Sequence, residues 1–342
     1  MDRVQLEDEL VQSMSSDLPE SQFAAVWVSS SVALPMVEVA MSSFLLSMDF
    51  SRIQGRLTLG LIHDGVSQDR LTALVTRLQM PDSVDFWSSS VPNGIFNEEN
   101  FDEYPPIHYF RMLIPSIFYK YETVVYLDAD LWVLEDLSPL FSLQENRSSL
   151  WATQETWFEV NEKAGIPVPS WLGSKDISSY LAEQLGLAAK DYLNSGLLVL
   201  KTSAMDLQKF NKFWIDTLNS AEYWFADQCI LSKWCQGEFG RLDSTWNHQV
   251  GLTWPKPPPP GIKVLHFSGV FRPWKILLGR FSTTYLNAVT FAAREVPEHA
   301  TYTRRRLYVT LKALEVLLYR ILPSSMKGVA MKIRHRLEGR ST

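Results

Sequence analysis

Residues 123–132 (TVVYLDADLW) join a short apolar run to a pair of aspartates, Asp128 and Asp130. The β-branched and aromatic residues of the run predict a buried strand. In open α/β sheets, ligands bind outside the carboxyl ends of the strands, which is where this pair would lie. Carboxylates at positions i and i+2 that leave a strand can both reach one hard divalent cation, Mg²⁺ or Mn²⁺. An Asp-x-Asp tripeptide is common in turns, however, so the pair alone does not decide the chemistry.

The chain around this segment alternates between apolar runs of strand length and segments of helical length. Residues 23–28 (FAAVWV) and 57–62 (LTLGLI) predict buried strands, and residues 36–48 and 67–78 predict the helices that follow them, with Ser67 at the N-cap. Further along, the pattern predicts a helix at 109–118, a strand at 192–201, an amphipathic helix at 206–218 and a strand at 263–269. This rhythm is typical of a parallel, helix-covered sheet, so the predicted fold class is α/β.

The composition is that of a soluble globular enzyme. The chain has 342 residues, of which 46% are hydrophobic and 20% charged, and this length is ample for a buried core. The first residues, MDRVQLEDEL, contain neither a positively charged start nor an apolar run, so they do not predict a signal peptide. Without such a signal, Cys229 and Cys235 are expected to be reduced thiols in a cytoplasmic protein.

Residues 301–342 differ in charge from the rest of the chain. They contain ten Lys and Arg against two acidic residues, although the whole chain has a net charge of −6. Their apolar residues fall on one helical face on either side of Pro323: Leu307, Leu311, Leu314, Leu318 and Ile321, then Met326, Val329, Ile333 and Leu337. Basic amphipathic helices of this kind lie on anionic membrane surfaces, here the inner face. Packing of both helices on the rest of the protein is the alternative interpretation.

Several blocks of the sequence resemble glycosyltransferase family 8, which includes glycogenin and the bacterial lipopolysaccharide galactosyl- and glucosyltransferases. Residues 121–141 (YETVVYLDADLWVLEDLSPLF) resemble the family's DxD segment. The other matching blocks, in the family's order, are IHYFRMLIPSIF (107–118), YLNSGLLVLK (192–201), FADQCILSKW (225–234), DSTWNHQ (243–249) and HFSGVFRPW (266–274). The resemblance, from Phe23 to about Trp274, implies a GT-A type fold with a Rossmann-like central mixed sheet flanked by helices, followed here by C-terminal basic amphipathic helices.

The resemblance also implies a site for Mn²⁺ or Mg²⁺, held by Asp128, Asp130 and His266. A lone histidine on an apolar strand is more often a core residue, but the block around His266 favours ligation. Gly269 and Arg272 would lie against the diphosphate of a nucleotide-sugar donor. Arg272 replaces the family's usual lysine, keeps its positive charge and adds a fork geometry that suits phosphate.

Other matched residues are expected around the donor sugar. Asn194, Asp227 and Gln228 would be the catalytic residues, and Arg111 would lie close to the donor. The resemblance implies retention of the anomeric configuration. A carboxylate nucleophile, with Asp227 the first to test, would retain it by double displacement. A front-face route, in which the leaving phosphate helps to deprotonate the acceptor, is the alternative, and the sequence does not choose between them.

Two departures from the family pattern leave the donor open. Family members usually carry acidic or Asx residues after the first strand, where the nucleoside is bound. This chain instead has Ser29 and Ser30, followed by a third serine. Glu155 stands where the family often has an aspartate near the donor sugar. Between these blocks, Trp151, Trp157 and Trp171 suit either stacking on acceptor sugar rings or ordinary core packing.

We therefore expect a retaining glycosyltransferase that moves a hexose, glucose or galactose, from a UDP-sugar to a glycan or glycolipid acceptor in surface-glycan synthesis, with no nucleic acid partner. The expected organisation is a polar lead-in at 1–22, a catalytic domain at 23–280 and a basic helical tail at 281–342. A degenerate sugar-binding or scaffold protein is one alternative, favoured by the serines after the first strand. A metal-dependent nucleotidyltransferase is another, but residues 29–35 lack the Gly-rich, Arg/Lys-containing loop expected of that class.

Overall fold

The computed structural model of the chain describes residues 11–92, 105–143, 148–158, 160, 176–220, 223–253 and 258–268. The strands within these ranges, numbered along the chain, are β1 (Phe23–Ser29), β2 (Leu57–His63), β3 (Val84–Ser90), β4 (Thr123–Leu127), β5 (Leu131–Val133), β6 (Leu150–Gln154), β7 (Leu193–Leu200), β8 (Gly240–Arg241), β9 (His248–Gln249) and β10 (Val264–His266). They form a seven-stranded sheet in the order β3-β2-β1-β4-β7-β6-β8 and a three-stranded sheet in the order β5-β10-β9.

Strand direction brings the ends of six different strands to one edge of the large sheet. Strands β1, β2, β3 and β4 pair in parallel, so their carboxyl ends lie side by side. Strand β7 pairs antiparallel with both β4 and β6. The start of β7 and the end of β6 therefore lie at the same edge as the ends of the parallel strands, and we call this edge the carboxyl edge.

Helices cover both faces of the large sheet. The α-helices of the described residues are α1 (Leu34–Ser47), α2 (Gln68–Leu78), α3 (Ile114–Ile117), α4 (Ile177–Tyr180), α5 (Leu207–Ser220) and α6 (Ala226–Cys235). Alternate residues of β1 enter two separate cores, because successive side chains of a strand point to opposite faces. Trp27 packs on the side of α1 and α2, and Val26 packs on the side of α5 and α6. The mixed, helix-covered sheet confirms the predicted α/β class.

The main local difference between prediction and structure concerns the helix predicted at 109–118. The chain instead forms a 3₁₀-helix from Pro106 to Leu113 and then the single turn of α3. Pro115 explains the difference, because its ring lacks an N–H and would clash with the carbonyl of residue 111 in a continuous α-helix. Ser67 lies at the N-cap of α2 as predicted, but its side chain makes no capping hydrogen bond.

Parts of the predicted organisation lie at the limits of the described residues. In the predicted polar lead-in, Met14 is buried and joins the core on the α5 and α6 side, so this segment contributes packing as well as polar surface. The tail at 281–342 lies outside the described residues. Cys229 and Cys235 are both free and buried. Among the described residues, no helix has the length and apolar character that crossing a membrane requires.

The tryptophans of the middle segment separate into different environments. Trp151 lies in β6, is 3% exposed and belongs to the core, so core packing is its observed role. A Cβ atom built on Gly240 of the neighbouring strand would lie 1.9 Å from Cδ1 of Trp151, so the indole occupies the space that any side chain at position 240 would need. Trp157 is half-buried against the other core. Trp171 lies outside the described residues.

We expect Gly240→Ala to lower the free energy of unfolding by about 3 kcal/mol or more, because the new methyl group forces the buried indole of Trp151 to move. Gly60→Ala is the matched control, since its methyl group would meet side-chain atoms at longer distances, Cζ of Phe118 at 2.9 Å and Cγ2 of Val26 at 3.1 Å. Urea unfolding of both variants measures the difference. A cost at position 240 no larger than at position 60 would contradict this packing.

Candidate active site

The carboxyl edge brings together three polar segments that are far apart in the sequence. Asp128 follows β4, Glu155 follows β6, and Asn194 is the second residue of β7. Backbone hydrogen bonds hold these segments in register. The amide of Asp128 donates to the carbonyl of Gly196 at 2.8 Å, and the amide of Glu155 donates to the carbonyl of Tyr192 at 2.9 Å.

The small sheet returns His266 to the DxD segment. In β10, His266 pairs with Leu131, and the amide of Phe267 donates to the carbonyl of Asp130 at 3.0 Å. The Nε2 atom of His266 then lies 3.4 Å from Oδ1 of Asp130 and 3.8 Å from Oδ2 of Asp128. One ligand atom from each of the three residues lies within 4.8 Å of the others.

This geometry and its charges fit a divalent cation. An ion with bond lengths of about 2.1 Å holds its ligand atoms about 3 to 4.2 Å apart, close to the distances observed here. Burial raises the pKa of Asp128, and the neighbouring Asp130 raises it further against the opposing effect of Arg111. Burial lowers the pKa of His266, but the two carboxylates outweigh it, so the pKa is raised. A cation between these groups would relieve the repulsion of the two buried carboxylates.

The backbone at Gly196 makes room for the histidine. A Cβ atom at this position would lie 2.4 Å from Cε1 and 2.7 Å from Nδ1 of His266. No side chain fits there, so the ring rests directly on the backbone of β7. The matching NSG block contains this glycine, which the sequence analysis did not single out.

Arg111 connects the metal-ligand candidates to Asp227. Its Nη2 atom lies 3.0 Å from Oδ1 of Asp128, and its Nε atom lies 3.1 Å from Oδ2 of Asp227. Its Nη1 atom donates to the backbone carbonyl and the hydroxyl of Ser195, at 3.0 and 3.2 Å, and the guanidinium lies 4.7 Å from the ring centre of Tyr126. Burial lowers the pKa of Arg111, but the two aspartates outweigh it and raise the pKa above its ordinary value. This arginine is thus enclosed by protein groups.

The first turn of α6 presents Asp227 and Gln228. Ala226, directly before them, has a φ of 43°, which is unusual for a residue other than glycine and turns the chain sharply at the helix start. Burial raises the pKa of Asp227 to about 6, against the opposing effect of Arg111. The Oε1 atom of Gln228 accepts a hydrogen bond from the amide of Ser195 at 3.1 Å. Backbone strain next to a buried carboxylate is typical of a functional site.

Side-chain amides surround the buried carboxylate of Glu155. We use the name amide cluster for this carboxylate together with the four amides, Asn194, Gln228, Asn247 and Gln249. Oε2 of Glu155 accepts from Nδ2 of Asn194 at 2.6 Å and from Nε2 of Gln228 at 3.4 Å. Nε2 of Gln249 donates to both carboxylate oxygens, at 2.8 and 2.9 Å. The DSTWNHQ block (243–249) contains Asn247 and Gln249, and the sequence analysis gave neither of them a role.

A cavity of about 480 Å³ adjoins the DxD segment, and its lining includes Ser29, Ser30, Asp64, Arg111, Tyr126, Asp128 and Asp130. The hydroxyl of Ser29 donates to the carbonyl of Ser30 at 2.8 Å, and the hydroxyl of Ser30 accepts from the amide of Ala33 at 3.3 Å. Asp64, which follows β2, accepts from the amide of Ser31 at 2.7 Å. Although no acidic residue follows β1, Asp64 therefore supplies a carboxylate at the same place from the end of β2. The sequence alone could not identify this neighbour, because the strand order was not known.

The chain matches the family model described as Glycosyl transferase family 8 over residues 66–277, which is more than half of its length. The chain belongs to glycosyl transferase family 8. Membership places it in the glycosyltransferase class, as the sequence analysis expected.

The chain is also similar to curated proteins in sequence and to solved structures in fold. Galactinol synthase 5 of Arabidopsis thaliana is 25% identical over 178 residues, which cover 50% of this chain and 52% of that protein. The chain thus spans about half the length of the curated relatives it matches. The apo structure of the WbbM bifunctional glycosyltransferase superposes with a TM-score of 0.65 at 18% identity, covering 85% of this chain and 53% of that chain. The structure of galactosyltransferase LgtC in complex with donor and acceptor sugar analogs superposes with a TM-score of 0.53 at 18% identity. The match covers 81% of this chain and 98% of that chain.

The residues predicted for this family 8 site mostly converge. Those brought together at the carboxyl edge are Asp128, Asp130, His266, Arg111, Asp227, Gln228, Asn194 and Glu155, and Ser29 and Ser30 line the adjoining cavity. Gly269 and Arg272 lie outside the described residues. The role of each residue in catalysis or binding stays a prediction.

We expect Gly196→Ala to weaken Mn²⁺ binding roughly 10- to 100-fold, because the methyl group would displace the ring of His266 from the two aspartates. Titration of Mn²⁺ in the presence of UDP, followed by electron paramagnetic resonance, measures this. Gly60→Ala, which alters a glycine of β2, is the control and should bind Mn²⁺ as the wild type does. Unchanged Mn²⁺ affinity in Gly196→Ala would argue against His266 as a ligand.

Removing Arg111 should leave two buried carboxylates without their counter-charge. We expect Arg111→Met to lower the free energy of unfolding by about 3–5 kcal/mol. The double variant Arg111→Met, Asp227→Asn should recover part of that loss, because one uncompensated charge is gone. Arg77→Met is the control, since Arg77 and Glu38 form a more exposed pair worth about 0–1 kcal/mol. Urea unfolding measures both variants. An equal loss of unfolding free energy in Arg111→Met and Arg77→Met would refute the role of Arg111 as the ion-pair partner of both aspartates.

Proposed function

We propose that this protein is a retaining hexosyltransferase that uses a divalent metal to transfer glucose or galactose from a UDP-sugar to a glycan or glycolipid acceptor. The observation that carries the proposal is the convergence of Asp128, Asp130 and His266 within 4.8 Å, beside the amide cluster. Membership of glycosyl transferase family 8 supports the reaction class. The names of the two curated relatives, galactinol synthases 5 and 6, support a hexose and make galactose the first sugar to test.

Asp128, Asp130 and His266 would hold Mn²⁺ or Mg²⁺. When bound, such an ion neutralises the negative charge that develops on the diphosphate leaving group. Arg111 pairs with Asp128 and opposes the rise in the pKa of this carboxyl group that burial causes. Gly269 and Arg272 would complete the diphosphate site, a proposal that rests on their place in the matched HFSGVFRPW block.

The cavity of about 480 Å³ beside the DxD segment is the proposed nucleoside site. Ser29 and Ser30 border it, and their hydroxyls retain capacity for further hydrogen bonds after their contacts with the backbone. The carboxylate of Asp64 adds an acceptor from the neighbouring strand. A ribose hydroxyl or the N–H of a uracil would suit this acceptor.

Asp227 is the carboxylate best placed to act on the sugar. Its ion pair with Arg111 fixes its orientation, and its burial keeps water away from it. In a double displacement it would be the nucleophile. In a front-face reaction it would instead stabilise positive charge on the sugar, while Gln228 and Asn194 orient the ring. Both routes retain the anomeric configuration, in line with the proposal.

Aromatic side chains near the amide cluster are the proposed acceptor surface. Trp224 and Phe225, just before Asp227, have ring centres 4.5 Å apart and are half-buried, as is Trp157. Partly exposed rings of this kind stack well on the apolar faces of sugars. Contact of the basic tail at 281–342 with a membrane would bring a glycolipid acceptor to this surface, and this part of the proposal rests on the sequence alone.

The first test is hydrolysis of UDP-glucose, UDP-galactose, UDP-GlcNAc and GDP-mannose by the purified protein, with Mn²⁺ and with EDTA. We expect Mn²⁺-dependent hydrolysis of one UDP-hexose, because water can replace the acceptor. Asp130→Ala should reduce the rate at least roughly 100-fold, since charge on the leaving group is no longer neutralised. Asp216→Ala is the matched control, as Asp216 is exposed on α5 and pairs only locally with Lys212.

Two outcomes of this assay would change the proposal. If no donor is hydrolysed and UDP does not bind in a Mn²⁺-dependent way, the chain is a degenerate transferase, and the serines after β1 are the first place to look for the cause. In an active protein, Asp227→Asn that still turns over at an appreciable rate would favour the front-face route. Complete loss together with a trapped sugar on Asp227 of the wild type would favour double displacement.

A further inference from the structure

The charge of Glu155 sets the orientation of every amide around it. A carboxylate accepts hydrogen bonds and donates none. Asn194, Gln228 and Gln249 must therefore turn their NH₂ groups towards it, and each does. The backbone amide of Trp157 adds another donor at 2.7 Å. Both oxygens of Glu155 are thus occupied by protein donors, and the carbonyl oxygens of the three amides face away from it.

Two of the outward-facing oxygens already have protein partners. Oδ1 of Asn194 accepts from the amide of Gly196 at 2.9 Å and from Nδ2 of Asn247 at 2.7 Å. Oε1 of Gln228 accepts from the amide of Ser195. Because Nδ2 of Asn247 donates to Asn194, the Oδ1 atom of Asn247 is turned away from Asn194.

The two remaining oxygens, Oδ1 of Asn247 and Oε1 of Gln249, are buried and have no hydrogen-bond donor among the described residues. Asn247 is 4% exposed and Gln249 is 3% exposed. Buried polar atoms in folded proteins are nearly always paired, so two unpaired acceptors in one cluster indicate an expected ligand. The ligand must supply hydrogen-bond donors at both positions.

Asn247 and Gln249, which carry these oxygens, lie beside the proposed metal site, and we call the two residues the wall of this site. Gln249 pairs with His266 in the small sheet, and Asn247 bonds to Asn194, two residues before the glycine on which His266 rests. In a nucleotide-sugar, the sugar is attached directly to the phosphate that a metal holds. The sugar is therefore the part of such a donor that this wall would meet, a step that rests on the proposed function.

We infer that Asn247 and Gln249 recognise the donor sugar by accepting hydrogen bonds from its hydroxyl groups. Sugar hydroxyls can donate to a carbonyl oxygen, whereas phosphate oxygens at neutral pH cannot. Glu155 is then a positioning residue, because both of its oxygens are engaged and it acts by holding the amides in the orientation that leaves two acceptors for the ligand. A site built this way rejects sugars that lack the matching hydroxyl.

The test separates binding of the sugar from binding of the nucleotide. Calorimetry measures two affinities, one for Mn²⁺·UDP and one for Mn²⁺ with the UDP-hexose that the hydrolysis assay selects. The proteins compared are the wild type, Asn247→Ala and Gln249→Met. We expect both variants to bind UDP-hexose roughly 10- to 100-fold more weakly and Mn²⁺·UDP as tightly as the wild type does. Asn211→Ala, which alters an amide of α5 that bonds to Ser116, is the control and should change neither affinity.

A second measurement begins with the wild type, so its decisive result does not depend on the folding of a variant. Donors with single hydroxyls replaced by fluorine, which cannot donate, are compared on the wild type. At least one should bind roughly 10-fold or more weakly, and the same replacement should cost much less on the variant that lacks its partner oxygen. Unchanged affinity for every fluorinated donor on the wild type would overturn the inference.

The remaining outcomes also decide the question. Equal losses for UDP and UDP-hexose would show that the two residues act through the metal site, where the unpaired Nδ1 of His266 offers another partner, and would overturn the inference. Unchanged affinity for UDP-hexose in both variants would do the same. Failure of the wild type to bind either ligand would remove the proposed function together with this inference, and it would be seen before any variant is made.

Discussion

The ion pairs of Arg111 with Asp128 and Asp227 are the interaction on which the candidate site depends. Three aspartates, at positions 128, 130 and 227, are gathered at the carboxyl edge and largely removed from water. Such a group of buried negative charges would be costly without compensation. Arg111 supplies one positive charge permanently, and a divalent cation would supply the rest. The protein thus stabilises part of the charge itself and leaves a deficit that a metal can fill.

A second constraint is the direction of hydrogen bonds rather than net charge. The carboxylate of Glu155 imposes one orientation on the amides that surround it, and this orientation passes from Asn194 to Asn247. Side chains from four separate segments are held in this way, although a long carboxylic acid and flexible amides are individually mobile groups. The site therefore acquires a defined arrangement of donors and acceptors before any substrate enters, which lowers the cost of binding.

The sequence predicted the α/β class, the main strands and the family from apolar runs and ordered blocks, because these are local patterns. It did not predict β3, β5, β6, β8 and β9. Strands β5, β8 and β9 have two or three residues, too short a pattern to detect, and β3 and β6 mix polar with apolar residues. The helix predicted at 109–118 is present as a 3₁₀-helix followed by one α-turn, because Pro115 is incompatible with a continuous α-helix. Asp64, Asn247 and Gln249 gained their significance only from strand order and pairing, which no single segment of sequence encodes.

The small sheet has a consequence for how the protein matures. His266 joins Asp128, which lies 138 positions earlier in the chain, and it does so through a strand of only three residues that pairs with β5 and β9. Contacts between such distant segments form late, because the entropy of closing the loop must be overcome first. During synthesis, the large sheet can therefore assemble while His266 is still apart from Asp128 and Asp130. The cluster of three candidate metal ligands is complete only when β10, the last described strand, has docked.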